Sequence, residues 1–289
     1  MRPLISLIIC TKNRCEQLTT CLNHINEISS KLPWEAIIVD NNSTDQTSLV
    51  IQQFICTFPG AAKGVFESKP GNGVGRNTGI LLAQGEIIAF TDDDCYVAPD
   101  FIDQMWAIFQ DKCVGYASGR VLLHDPNDAK ITINESPVAN LYSSGVCLPV
   151  GLIQGANMAF RRVALNQAGL FDPIFGAGAK FAGEDWELAI RVSFCGWSGG
   201  YFPGPTVSHH HGRKLADVPK LLRFYAIGEG AVYSKFLRWG PMRFKVLKMF
   251  LREFYTALIT DQNFSRAKYM VLGMLQYLTA PKLHRGDSP

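Results

Sequence analysis

Three consecutive carboxylates, Asp92-Asp93-Asp94, stand at the end of an aliphatic run, Ile87 to Phe90. Adjacent carboxylates repel one another, so placing them together favours a compensating cation. Alternate residues of an extended segment point the same way, which lets Asp92 and Asp94 share one ligand set. Oxygen donors of this kind suit Mg²⁺ or Mn²⁺ held together with substrate phosphates. The same triplet also suits a solvated acidic turn capping a helix over 99–109. Further along, Gly183-Glu184-Asp185-Trp186 opens a segment whose Leu188, Ala189 and Val192 form an apolar stripe. Asp185 shares the face of Ala189 and Val192, which makes it an inward carboxylate and a candidate general base. Glu184 fits a simpler role, an acid in the first helical turn stabilising the helix dipole. His209-His210-His211 follows a predicted strand over 200–207, so His209 and His211 share one face and either can supply imidazole to a metal.

Lys69 to Gly79 carries Gly71, Gly73, Gly75 and Gly79 around Arg76. It reads as a glycine-rich loop entering a helix, where backbone N–H groups approach phosphate and Arg76 pairs with a diphosphate. A flexible turn with a surface arginine is the plainer alternative.

These residues need a scaffold, and the first ~125 residues alternate strand and helix signals. Ile5 to Cys10, Ala36 to Val39 and Ile87 to Phe90 are uninterrupted aliphatic runs, as in strands buried on both faces, and Val65-Phe66 is a weaker one. Leu18, Leu22, Ile25 and Ile28 recur at helical spacing. Ser43, Thr44 and Asp45 are candidate caps for a helix carrying Leu49, Val50 and Phe54. Such alternation predicts an α/β fold with a mostly parallel central sheet and helices on both faces. Thr11, Asn13, Asp40 and the three aspartates all follow strand ends. Ligands of open α/β sheets bind beyond the carboxyl ends of the strands, so these residues are expected to converge on one nucleotide-sized cleft.

The chain has 289 residues, 47% hydrophobic and 18% charged, enough for a large core and too apolar for disorder as the main state. Its eight scattered cysteines form no C-x-x-C pair, which points to reduced thiols and a cytoplasmic setting. No secretory signal is read in the first residues, and no membrane span in the uncharged stretch 136–160, which Pro137, Asn140, Pro149, Gln154 and Asn157 interrupt. A net charge of +3 gives no ground for a nucleic-acid partner. It hides an asymmetry: residues 212–289 hold 14 Lys+Arg against 5 Asp+Glu, or +9, and the preceding part has 14 against 20, or −6. Residues 241–260 read as an amphipathic helix, with Lys245, Lys248 and Arg252 on one arc and Leu247, Phe250, Leu251, Phe254 and Leu258 opposite. Such a helix either packs on the catalytic domain with a solvated basic face or docks peripherally on an anionic inner membrane face. Residues 282–287 are expected to fray.

Five segments, taken in order, resemble the family 2 glycosyltransferases of GT-A fold. They are Ser6 to Arg14, Val39 to Asp45, Gly73 to Gly79, Phe90 to Asp94, and Gly155 to Arg161 paired with Gly183 to Trp186. The resemblance implies a GT-A nucleotide-diphospho-sugar transferase domain over 1–211, with a nucleotide-binding half 1–125 and an acceptor half 126–211. A helical basic extension over 212–289 follows. It implies that Thr11 and Asp40 contact base and ribose, and that Arg76 contacts the base or diphosphate side. Asn13, Arg14, Asn42, Asp92, Asn157, Glu184 and Trp186 join them as substrate-binding residues, with 155–157 lining the acceptor site and Trp186 shaping the sugar pocket. Asp92 and Asp94 match the D-x-D motif, Asp94 as direct ligand of Mn²⁺ or Mg²⁺, with His209, or alternatively His211, completing the metal shell. Asp185 matches the position that deprotonates the acceptor hydroxyl. A single displacement would then invert the anomeric carbon of a nucleotide-diphosphate sugar and pass it to a carbohydrate or lipid-linked acceptor in polysaccharide or glycolipid synthesis. Cys10, Lys12, Asn41 and Asn42 depart from the common pattern and leave UDP, GDP and dTDP open as the donor nucleotide. A sugar nucleotidyltransferase would need a glycine-bearing loop after the first strand, where Thr11 to Arg14 has none. A non-catalytic nucleotide-sugar-binding protein would have no need of Asp185 or the histidines.

Overall fold

A computed structural model describes residues 2–239, 242–260 and 264–280. The chain divides into two compact units, Met1–Lys180 with Glu184–Val218, and Phe181–Gly183 with Pro219–Pro289.

The first unit opens with β1 (Ile5–Thr11), α1 (Cys15–Asn26), β2 (Trp34–Asp40), α2 (Thr47–Thr57), β3 (Ala61–Phe66), α3 (Asn72–Leu82) and β4 (Ile87–Asp92). The aliphatic runs form the central strands, and Ile5, Leu7, Ile8, Ile9, Ile37, Ile38, Ile87 and Ile88 are all buried. Burying apolar area on both faces supplies about 25 cal/mol per Å². Next come β5 (Cys95–Val97), α4 (Phe101–Ile108), β6 (Val114–Leu123), β7 (Asn140–Tyr142), β8 (Asn157–Arg161), α5 (Arg162–Ala168), α6 (Glu184–Phe194) and β9 (Ser198–His209). The sheet runs β3-β2-β1-β4-β8-β6-β9-β5, with β7 added on β9. It is a mixed sheet. Strands β1 to β4 pair in parallel, as do β6 and β9, whereas β8 lies antiparallel between β4 and β6.

Two local readings change. None of the cap candidates is the N-cap of α2, which is Gln46; Asp45, one residue earlier, accepts from the Thr47 N–H at 3.0 Å. Only Lys69 to Gly71 of the glycine-rich segment is loop: α3 already begins at Asn72, so Gly73, Gly75 and Gly79 lie inside the helix it enters. Gly75 and Gly79 allow close approach to the sheet. A Cβ on Gly79 would stand 2.5 Å from Ile8 Cγ2, and one on Gly75 would stand 3.3 Å from Cys10 Sγ. The absent side chains let α3 settle directly on β1 and β2.

In the second unit, α7 (Val218–Trp239) precedes α8 (Arg243–Tyr255), a π-helical turn over Thr256–Thr260, and α9 (Phe264–Leu278). Helices α7 and α9 cross backbone to backbone. A Cβ on Gly230 would lie 1.9 Å from the Met270 carbonyl oxygen, and one on Gly273 equally close to that of Ile227. The amphipathic helix expected over 241–260 is thus α8 plus the π turn, with Pro241 outside the described residues; residues 282–287 also lie outside them. Among the described residues no helix is long and apolar enough to cross a membrane.

Gly79→Val forces a branched side chain against the equally stiff Ile8. The expected loss of stability is about 1–3 kcal/mol, read from the urea unfolding midpoint.

Candidate active site

Strand register assembles the first group. Thr11 sits beside Asp40 across β1–β2, and Cys10 sits beside Asp92 across β1–β4. Three adjacent parallel strands therefore end in Thr11, Asp40 and Asp92. The loops after β1 and β2 lock together: Asn13 Oδ1 accepts from the Thr44 N–H at 2.7 Å, and the Asn13 N–H donates to Ser43 Oγ at 2.9 Å. Asp40 Oδ1 accepts from the Ser43 N–H at 2.8 Å. Asn13 and Asn42 hold φ of 53° and 65°, the left-handed region asparagine tolerates better than most side chains.

The three aspartates go three ways. Asp92, partly exposed, pairs with Arg76 at 3.0 Å. Asp93 is buried, accepts from Thr11 Oγ1 at 2.7 Å and pairs with Arg14 at 3.0 Å. Burial pushes its carboxyl up to about 7 in spite of the Arg14 charge. Asp94 pairs with Arg14 at 2.9 Å and with His209 Nε2 at 3.3 Å. Burial opposes its ionisation, yet His209 and Arg14 hold it well below the usual carboxylate range. Alternation along an extended segment would give Asp92 and Asp94 one ligand set; in the structure they rest on different cations, Arg76 and Arg14. Asp94 meets His209 because β5 pairs antiparallel with β9, Cys95 opposite His209, and the His210 N–H donates to the Asp94 carbonyl at 2.8 Å.

Asp94, Cys95 and His209 present ligand atoms all within 4.8 Å of one another. Burial pushes the Cys95 thiol well up, and as a soft donor it suits Mn²⁺ and Mg²⁺ poorly, which leaves the Asp94 carboxylate and the His209 imidazole as the donors. His209 Nδ1 and His211 Nε2 are buried without a hydrogen-bond partner. An oxygen–imidazole pair with unsatisfied nitrogens beside it fits Mn²⁺ or Mg²⁺. The rings of His209 and His211 lie 5.0 Å apart, while His210 turns away to Tyr96 Oη at 3.1 Å, as the strand alternation predicts. His211 is held elsewhere: its Nδ1 accepts from the Arg213 N–H at 3.0 Å and stands 3.6 Å from Asp128. A second acidic group, Asp125 and Asp128 with His210, is compensated by Lys214, whose Nζ lies 2.7 Å from Asp128.

Helix α6 brings up the other carboxylates. Glu184 pairs with Arg76 at 2.8 Å, so one guanidinium, only 2% exposed, joins β4 to α6. Asp185 is gripped by main chain: its Oδ2 accepts from the Gly155 N–H at 2.8 Å and its Oδ1 from the Trp186 N–H at 2.7 Å. Burial first, and then the Glu184 charge, raise the Asp185 carboxyl to about 7. Arg76 faces inward between Phe90 and Phe171, which differs from the surface arginine a flexible turn would carry. Trp186 is buried, with its Nε1–H donating to the Leu148 carbonyl at 2.8 Å. Asn157 is buried at the start of β8 and donates to the carbonyls of Arg120 and Pro205 at 2.9 and 3.1 Å. The pairing of Arg14 with two aspartates has no signal in sequence spacing. Only its position just after β1 hinted at it.

A sheet whose strand ends collect acidic, basic and imidazole groups beside an anchored carboxylate is that of a GT-A glycosyltransferase. Residues 6–169 match the Glycosyl transferase family 2 profile, and the chain belongs to that family. Glycosyltransferase AglE of Haloferax volcanii is 23% identical over 231 residues, 80% of this chain and 73% of that protein. An uncharacterized glycosyltransferase of Nostoc sp. is 28% identical over 59% of this chain, which spans about half of that relative (54%). Among solved structures, the mannosyltransferase PcManGT from Pyrobaculum calidifontis, in complex with GDP-Man and Mn²⁺, superposes with a TM-score of 0.66 at 22% identity, covering 98% of this chain and 77% of that one. S. aureus TarS 1–349 in complex with UDP-GlcNAc gives 0.64 at 15% identity, covering 96% and 81%. Family membership favours transfer of a glycosyl group over the nucleotidyltransferase and non-catalytic alternatives.

Arg76→Met leaves Glu184 buried without its cation and Asp92 without its partner. Breaking such a pair costs about 3–5 kcal/mol when fully buried, and the partial exposure of Asp92 places the expected loss at the lower end. Chemical denaturation measures it, with Arg76→Lys expected to fall between the two.

Proposed function

We propose that the protein moves a sugar from a nucleotide-diphosphate donor to a hydroxyl of a carbohydrate or lipid-linked acceptor, with inversion, in polysaccharide or glycolipid synthesis. The observation that carries this reading is Asp185, a carboxylate fixed by two main-chain N–H groups, raised to about 7, and one residue from the Glu184–Arg76–Asp92 chain. Thr11, Asn13, Arg14, Asp40 and Asn42 take the nucleotide at the strand ends. Asp92 and Arg76 form the floor under the diphosphate, and residues 155–157 with Glu184 and Trp186 support the sugar and acceptor side.

Asp94 and His209 are the residues that would hold Mn²⁺ or Mg²⁺, with Asp92 able to join them only by leaving Arg76. Charge neutralisation on the departing diphosphate is what such an ion supplies when bound there. The complexes of the two structural relatives with GDP-Man and Mn²⁺ and with UDP-GlcNAc support a nucleotide-sugar donor and metal dependence for this chain. Asp185 accepts the acceptor's hydroxyl proton as the oxygen attacks the anomeric carbon from the face opposite the diphosphate, and that in-line geometry inverts the centre. A carboxyl poised near neutrality is a stronger base than an ordinary aspartate, and about half of it is ionised near pH 7. A lipid-linked acceptor would place the protein at an inner membrane face, through contact over 241–260.

Calorimetric titration with UDP, GDP and dTDP, with and without Mn²⁺, is expected to give selective, Mn²⁺-dependent binding of one diphosphate; no binding of any would remove the donor assignment. Asp185→Asn is expected to keep donor affinity within a few-fold and to lose transfer by about 10²–10⁴. Because the base works only when deprotonated, kcat/KM should rise about tenfold per pH unit below about 7 and level off above it. A rate independent of pH between 5 and 8 would take the base role from Asp185.

A further inference from the structure

The second unit turns an apolar strip outward. On α8, Phe244, Leu251 and Tyr255 are 78%, 55% and 63% exposed and fall at i, i+7 and i+11, with Leu247 between them. On a helix this is one continuous spine. Lys245, Lys248 and Arg252, all exposed, run along one flank of it; Arg252 also reaches Glu253 at 3.0 Å. The inward side of the same helix has its own apolar set, with Val246 buried and the Phe250 ring set edge-on to Tyr233 of α7, centroids 5.6 Å apart. The arc read in the sequence as a single apolar face is therefore split. Phe250 and Phe254 turn in, while Leu247 and Leu251 turn out to join Phe244 and Tyr255. Helix α9 repeats the pattern: Phe264, Val271, Leu275 and Leu278 are exposed at i, i+7, i+11 and i+14, with Lys268 beside them and Ala267, Met270 and Gly273 buried. Internal packing accounts for the inward sets only.

Charge identifies what covers the outward ones. A second copy of the chain laid on α8 would bring Lys245, Lys248 and Arg252 against their own like charges. An apolar spine with a basic flank matches a layered partner, apolar below and anionic above, as the side chains sink to the acyl boundary and the cations reach headgroup phosphates. The +9 charge of residues 212–289 adds longer-range attraction to the same partner.

We propose that the outward face of α8 docks in the plane of an anionic phospholipid bilayer. Phe244, Leu247, Leu251 and Tyr255 enter the interface, and Lys245, Lys248 and Arg252 meet the phosphates. Docking is independent of the donor and base assignments, so donor titration on the same preparation distinguishes failure of one from failure of the other.

The test is flotation of the full chain with phosphatidylcholine vesicles, with and without phosphatidylglycerol, at low and high salt. Binding is expected only with phosphatidylglycerol and should weaken with salt. Lys248→Gln should lower the partition about fivefold and Leu251→Glu about tenfold or more. Leu49→Glu, at an exposed apolar site on α2, should leave it unchanged, and the circular dichroism of all three variants should match the parent. Absence of flotation, equal binding to both vesicles, or undiminished binding by Leu251→Glu would overturn the proposal. So would a concentration-dependent dimer that Leu251→Glu dissolves in the absence of lipid binding, which would assign the face to a second copy.

Discussion

A guanidinium buried in a protein interior must find enough negative charge and hydrogen-bond acceptors to replace water, and Arg76 imposes that demand on the centre of this fold. It meets it with Asp92 from the end of β4 and Glu184 from the start of α6, under the rings of Phe90 and Phe171. Gly155 gives way to it, since a Cβ there would stand 2.6 Å from Arg76 Nη2. The same glycine's N–H holds Asp185. One buried cation therefore fixes the acidic strand end, the start of the carboxylate-bearing helix and the turn between β7 and β8.

Register does the rest of the convergence. Parallel pairing of β1 with β2 and β4 aligns Thr11, Asp40 and Asp92. Antiparallel pairing of β5 with β9 draws His209 to Asp94 from far along the chain.

That logic explains what could be read beforehand. The all-aliphatic strands β1, β2 and β4 and the site residues at their ends were legible, because burial on both faces leaves an uninterrupted apolar run. Strand β6, with Gly115, Ser118, Gly119 and Arg120 in its length, gives no such run and takes its conformation from its neighbours β8 and β9. The glycines of α3 signalled a loop because a glycine's purpose depends on what it faces, here Ile8 and Cys10, which is a tertiary fact. Helical periodicity announced the amphipathic α8 but could not say which part of a broad apolar arc packs inward, since that depends on where Tyr233 stands. The partners of Arg14 and Arg76 were equally hidden. Long side chains choose among acids by position in space, and spacing along the chain carries no record of the choice.

The hold on Asp185 has an evolutionary side. Its two oxygens are oriented by amide hydrogens of Gly155 and Trp186, and apart from proline no side-chain replacement at either position deletes an amide hydrogen. The surrounding loop can accumulate substitutions, and so reshape what it admits, while the carboxylate keeps its bearing. Under the proposed assignment, a lineage built on this arrangement could exchange one acceptor for another by ordinary drift in loop side chains, without passing through an ancestor whose base had lost its aim.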